Sequence, residues 1–146
     1  MVKNKKLLFS IPLMFMGFTM IILGSSWMLS DAPWMLDQVA NEERLGMTFT
    51  ELFKSDINRT LPDYLKQIYR FFGLWVIIIG LFIVALSRPQ IIEDYNIRLI
   101  LIFCVGVMAY SGLILGYILI PSSPFIYLGW GLIVIHLVSI WNYKKF

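Results

Sequence analysis

The chain has 146 residues, of which 59% are hydrophobic, 16% aromatic and only 14% charged, and its mean hydropathy is +0.77. Soluble domains carry about 25% charged residues, so this composition excludes an ordinary soluble enzyme and leaves no room for a separate catalytic domain. The formal net charge of +3 comes from lysines and arginines at the ends of apolar runs, the pattern of membrane topology signals; with no basic stripe, no nucleic-acid partner is expected.

The first apolar run covers residues 7–29, about 34 Å as a helix and long enough for a hydrocarbon core of about 30 Å. Lys3, Lys5 and Lys6 precede it and Gly24-Ser25-Ser26 lies near its end, so a cleaved secretory signal is a competing reading. The length of the run favours a retained membrane helix.

A polar segment follows over residues 30–62. Asp31 before Ala32-Pro33 reads as a helix cap, and Thr48-Phe49-Thr50-Glu51 has the spacing of a capping box. Two short helices are expected there. Trp34, Met35, Leu36, Val39, Phe49 and Phe53 supply more apolar surface than a solvated linker needs, so the segment should lie on the bundle or in the headgroup layer as a cap.

The second membrane helix is read at residues 63–87, with a start signal at Thr60-Leu61-Pro62-Asp63 and a stop at Ser87-Arg88-Pro89. Counted from Leu61 it is about 39 Å long, which places its first turns and the charges of Lys66 and Arg70 in the interface. The third is read at residues 98–120 and the fourth at residues 124–142, joined by the uncharged turn Pro121-Ser122-Ser123-Pro124. The expected fold is therefore all-α, an antiparallel four-helix membrane bundle forming one domain over residues 1–146, with short helices between the first and second spans.

Four spans put both termini on one side. That side holds Lys3, Lys5, Lys6, Arg88, Arg98, Lys144 and Lys145, against Arg44, Lys54, Arg59, Lys66 and Arg70 diluted among seven acidic residues on the other. The positive-inside rule then places both termini in the cytoplasm.

Small and polar residues recur every seven positions: Ser10, Gly17 and Gly24; Lys66, Gly73, Gly80 and Ser87; Cys104 and Ser111; Gly129, His136 and Tyr143. Such residues let membrane helices approach closely, and a period of seven fits a left-handed bundle. Gly112 and Gly116 form a GxxxG pair, read here as internal packing with dimerisation as the alternative.

Three residues are candidate ligand-binding groups. His136 is the only histidine and falls near mid-membrane, where ionisable groups are costly and point to proton transfer, ligation or a ligand hydrogen bond. Its structural reading is a neutral ring hydrogen-bonded to Tyr110, Ser111 or Thr19, and Tyr110 is accordingly the second candidate. Arg70 is the third, a guanidinium placed to hold a carboxylate, phosphate or headgroup, or else an ion pair with Asp37 or Glu43 of the cap.

One histidine and one cysteine, Cys104, make neither a metal centre, a disulfide nor a CxxC pair. No phosphate loop, serine nucleophile motif or HExxH sequence occurs, no catalytic residue is assigned, and the sequence identifies no cofactor. Asn58-Arg59-Thr60 matches the glycosylation sequon.

The Arg70-Phe71-Phe72-Gly73 stretch, with Gly80 seven residues on, resembles the DoxX-like group of small four-helix membrane proteins. The resemblance implies a membrane subunit associated with quinone-linked oxidation, or an accessory role. The expectation is an accessory or assembly subunit of a membrane complex without its own catalytic centre, in contact with the bilayer and with another membrane protein or a second copy. The alternative is a binder or enzyme for a lipophilic molecule, quinone or lipid, held between the helices under the cap. The first predicts a filled interior, the second a cavity reaching Arg70 or His136.

Overall fold

The computed structural model describes residues 2–143, with side chains from Lys6 onward. The topology charges at Lys144 and Lys145, and the side chains of Lys3 and Lys5, lie outside what is described. The chain is all-α. Helix α1 (Val2–Leu29) leads through a 3-10 turn at Pro33–Asp37 into α2 (Gln38–Leu45) and α3 (Phe49–Lys54). A second 3-10 turn at Asp56–Asn58 precedes α4 (Leu61–Leu86), α5 (Tyr95–Leu119) and α6 (Phe125–Tyr143). Among the described residues four stretches, Lys6–Leu29, Asp56–Leu86, Tyr95–Leu119 and Phe125–Tyr143, are long and apolar enough to cross a membrane, which makes this a multi-pass membrane architecture.

Helices α1 and α4 form the tightest pair, and the recurrence at seven sets their register. Ser10 donates its hydroxyl to the Ser87 carbonyl at one end, and Lys66 donates to Asp31 at 2.7 Å at the other. Between them Gly17 faces Gly80 and Gly24 faces Gly73. A Cβ on Gly24 would lie 2.5 Å from the Gly73 carbonyl oxygen, and one on Gly80 would lie 2.6 Å from that of Gly17. The four pairs are an antiparallel seam in which only glycine fits the middle, because lipid gives no hydrophobic drive and contact must come from close backbones. Gly24, held in this seam, is thus an integral part of the bundle, and the hydroxyls of Ser25 and Ser26 turn back to Ile21 and Ile22 of the same helix.

Helix α1 also carries Pro12, which removes one backbone donor and leaves the Leu8 carbonyl without its usual partner four residues on. Asn142 of α6 supplies the missing hydrogen bond, donating from Nδ2 to that carbonyl at 3.1 Å. The bond fastens α1 to α6. A further core of Phe9, Leu13, Met16, Ile83, Ile92, Leu101 and Val105 fills the half of the bundle near the termini.

Three sequence expectations shift. Helix α5 starts at Tyr95 rather than at 98, because Asp94 caps it by accepting from the Asn96 and Ile97 amides. Asp31 is not a helix cap, since Lys66 takes its carboxylate and Ala32 occupies the cap position. In α5 the stripe of Cys104 and Ser111 is exposed, while Leu101, Val105, Gly106 and Ala109 face inward. The capping box at Thr48 and Glu51 forms as read.

Candidate functional site

Helices α4 and α5 touch sparsely, and the space between them holds two apolar cavities. The larger, about 270 Å³, lies toward the cap and is bounded by all four long helices. Its floor on α5 is built of Ala109, Gly112 and Gly116, and its rim of Trp27, Phe72 and Phe125. The Trp27 ring stands 5.0 Å from both phenyl rings, edge-on to Phe72. A Cβ on Gly112 would meet nothing within 4 Å, so the GxxxG pair packs against no backbone and instead leaves the cavity open. Gly129, across from it, packs on Leu113.

The second cavity, about 250 Å³, continues along the same seam toward the termini, between Ile79, Phe82 and Leu86 of α4 and Leu101 and Cys104 of α5. Met108 borders both. Cys104, exposed and free, is the only titratable side chain on either wall. The indole Nε1 of Trp27 is buried and has no hydrogen-bond partner, a donor left unmade at a cost of about 1–3 kcal/mol.

The sequence candidates fall elsewhere. His136 is buried, and its Nε2 lies 3.0 Å from the Ile102 carbonyl oxygen. A carbonyl only accepts, so Nε2 donates to it, and Nδ1 lies 3.4 Å from the Tyr110 hydroxyl. The ring sits on Gly106, where a Cβ would come within 2.8 Å of Cε1. His136 and Tyr110 are therefore brought together, as the structural reading expected, but neither lines a cavity. Ser111 and Thr19 bond within their own helices. Among the described residues no group of three or more histidine, cysteine or acidic side chains could hold a metal.

Arg70 is exposed and forms no salt bridge with Asp37 or Glu43. Its charge, with the larger effects of the Lys66 hydrogen bond and charge, holds the Asp31 carboxyl below its ordinary value. Asp37 is buried with Oδ1 unpartnered, and Glu43 accepts from the Ser122 hydroxyl. Besides Glu43, the cap is fastened by residues that sequence spacing did not single out. Arg44 donates to the Ile118 carbonyl at 2.6 Å, and Asn41 donates to the Tyr69 hydroxyl at 3.0 Å. Helix α2 thus ties α4 to α5 at the outer end of the cleft.

Comparison of the chain with protein-family models, with curated proteins and with solved structures finds no match. The reading of the site rests on its geometry. Of the residues that carry the DoxX-like resemblance, Gly73 and Gly80 lie in the glycine seam and Arg70 beside Asp31.

Proposed function

We propose that this is a multi-pass membrane protein, both termini cytoplasmic, that binds a lipophilic molecule through an apolar chain held between α4 and α5, with no catalytic centre of its own. The observation that carries the reading is the cavity beneath the cap, whose floor of Ala109, Gly112 and Gly116 leaves room that larger side chains would fill. Binding sites for small molecules are concave and mostly apolar, with volumes of about 300–1,000 Å³. At about 270 Å³ this one suits part of a chain better than a ring system with its substituents. The sparse contact between α4 and α5 supports entry sideways from the bilayer. Lipid acyl chains and quinone tails both have the required form.

The test is native mass spectrometry of gently extracted protein, comparing wild type with Gly112→Leu. Wild type is expected to retain a lipophilic molecule that the variant loses while its helical circular dichroism is kept. Equal retention by both would overturn the reading. The accessory-subunit reading, in which a partner's helix covers the same cleft, predicts instead a co-extracted protein chain and no retained small molecule.

A further inference from the structure

A further pocket, of about 330 Å³, lies under the cap and shares no lining residue with the two cavities of the cleft. Helix α4 lends it one side chain per turn, Leu61, Leu65 and Tyr69, a wall of about 12 Å along which Tyr69 is nearest the bundle. Phe49 and Leu52 of α3 and the Trp34 ring, 6.1 Å from that of Phe49, supply the apolar surface facing it. The polar groups gather at the Tyr69 end. Asn41 and Arg44 stand one turn apart on α2, where Asn41 donates to the Tyr69 hydroxyl at 3.0 Å and Arg44 to the carbonyl of Ile118, in the last turn of α5. The pocket is therefore polar against the bundle and apolar outward, the reverse of a bilayer leaflet. Its polar end also has donors to spare. The Tyr69 hydroxyl accepts from Asn41, but its own proton meets no acceptor among the described residues, and Arg44 bonds there only to Ile118. No acidic side chain lines the walls: Glu42 accepts from Gln38 and the Phe49 amide, Glu43 accepts from Ser122, and Asp37 is buried outside them.

We propose that the cap pocket is a second binding site, for a single-chain carboxylate whose oxygens take the spare donors of Arg44 and Tyr69 and whose chain runs outward past Leu65 and Leu61. Charge complementarity selects the anion, since a guanidinium and a hydroxyl converge where no carboxylate of the protein answers them. The donor count selects its kind. A hydroxyl and one guanidinium match the two oxygens and single charge of a carboxylate, whereas a phosphate monoester brings three oxygens and nearly twice the charge. The order of polar and apolar ends selects its form. A phospholipid seated as in its leaflet would place its phosphate outward, against Leu61 and Phe49, so the occupant is a free amphiphile that enters with its carboxylate toward the bundle.

The experiment photolabels the purified full-length protein, in lipid nanodiscs, with decanoic acid carrying a diazirine at its chain end, and maps the label by peptide mass spectrometry. Label is expected on Phe49, Leu52 or Leu61, and decanoate should displace it at a concentration roughly tenfold or more below that of decanol, which has the same chain without the charge. Arg44→Gln should abolish that preference. Tyr69→Phe keeps the ring, and Asn41 keeps its bond to the Trp34 carbonyl, so this variant should lower the preference roughly fivefold with the cap in place, and it serves if Arg44→Gln loosens the cap. Leu65→Trp, filling the middle of the wall, should lose the cap label while its helical circular dichroism is kept. Label confined to lipid-facing residues, equal displacement by decanoate and decanol, or a preference unchanged in both Arg44→Gln and Tyr69→Phe would overturn the inference. Stronger displacement by decyl phosphate than by decanoate would overturn the assignment of a carboxylate.

Discussion

Helix α4 makes two opposite kinds of interface. Against α1 its glycines bring backbone onto backbone, with Gly73 and Gly80 each within a Cβ's reach of a carbonyl across the seam. Against α5 it leaves a cleft, and the glycines there, Gly112 and Gly116, meet little or nothing. The same residue type closes one interface and opens the other. What differs is the surroundings: glycine opposite glycine lets the helices touch, while Gly112 and Gly116 line a cavity together with Trp27, Phe72 and Phe125 that none of these side chains fills.

Alanine substitution separates the two most strongly. Gly73→Ala should destabilise the bundle by about 3 kcal/mol, because its Cβ would lie 2.5 Å from the Gly24 carbonyl oxygen and backbone cannot yield as a side chain can. Gly112→Ala, where 4 Å of space is free, should be neutral or stabilising by up to about 1 kcal/mol, from helix propensity alone. Unfolding of both variants in one mild detergent makes the comparison. Equal effects would mean that the seam and the cleft do not differ as described.

Much of this frame was legible in the sequence. Four spans, the cap helices, the capping box and the seven-residue recurrence of Ser10, Gly17, Gly24 and of Lys66, Gly73, Gly80, Ser87 all follow from local pattern, and the seam is that recurrence matched between two helices. The site was less legible, because a cavity is defined by what does not meet. Nothing in Gly112 and Gly116 as a motif tells whether a backbone or a space lies opposite. Arg70 and His136 drew notice as costly charges near or in the membrane, yet His136 is satisfied by Ile102 and Tyr110, and Arg44 rather than Arg70 bonds the cap to α5. Pro12 carried a readable signal, a freed carbonyl at Leu8, but its partner lies at the far end of the chain in Asn142.

That long-range bond gives the next test of how α1 is held on its other side. Asn142→Leu should cost about 1 kcal/mol by removing the part-buried hydrogen bond to the Leu8 carbonyl between α1 and α6. Adding Pro12→Ala restores a donor within α1, so the double variant should recover part of the loss, and a double-mutant cycle reads the coupling. Additive losses would show that the two residues act separately.

The smallest expected effect concerns the outer end of the seam, where its contacts become ionic. Asp31 is held below its ordinary carboxyl value, first by its hydrogen bond from Lys66 and then by the charges of Lys66 and Arg70. A depressed carboxyl contributes stability that is fully present above its unfolded pKa, about 3.9, and is lost as the pH falls through the lowered folded value. Acidification below about pH 4 should therefore loosen this end while the glycine pairs, which do not titrate, hold the middle. Asp31→Asn should flatten part of the acid limb of the melting temperature, by a small amount, because the carboxylate is solvent-exposed and screened. The same treatment should leave the α4/α5 cleft unchanged, as no carboxylate lines it. If Asp31→Asn left the acid limb as steep as wild type, the ionic pair would contribute nothing to the seam, and the glycine and serine contacts alone would hold α1 on α4.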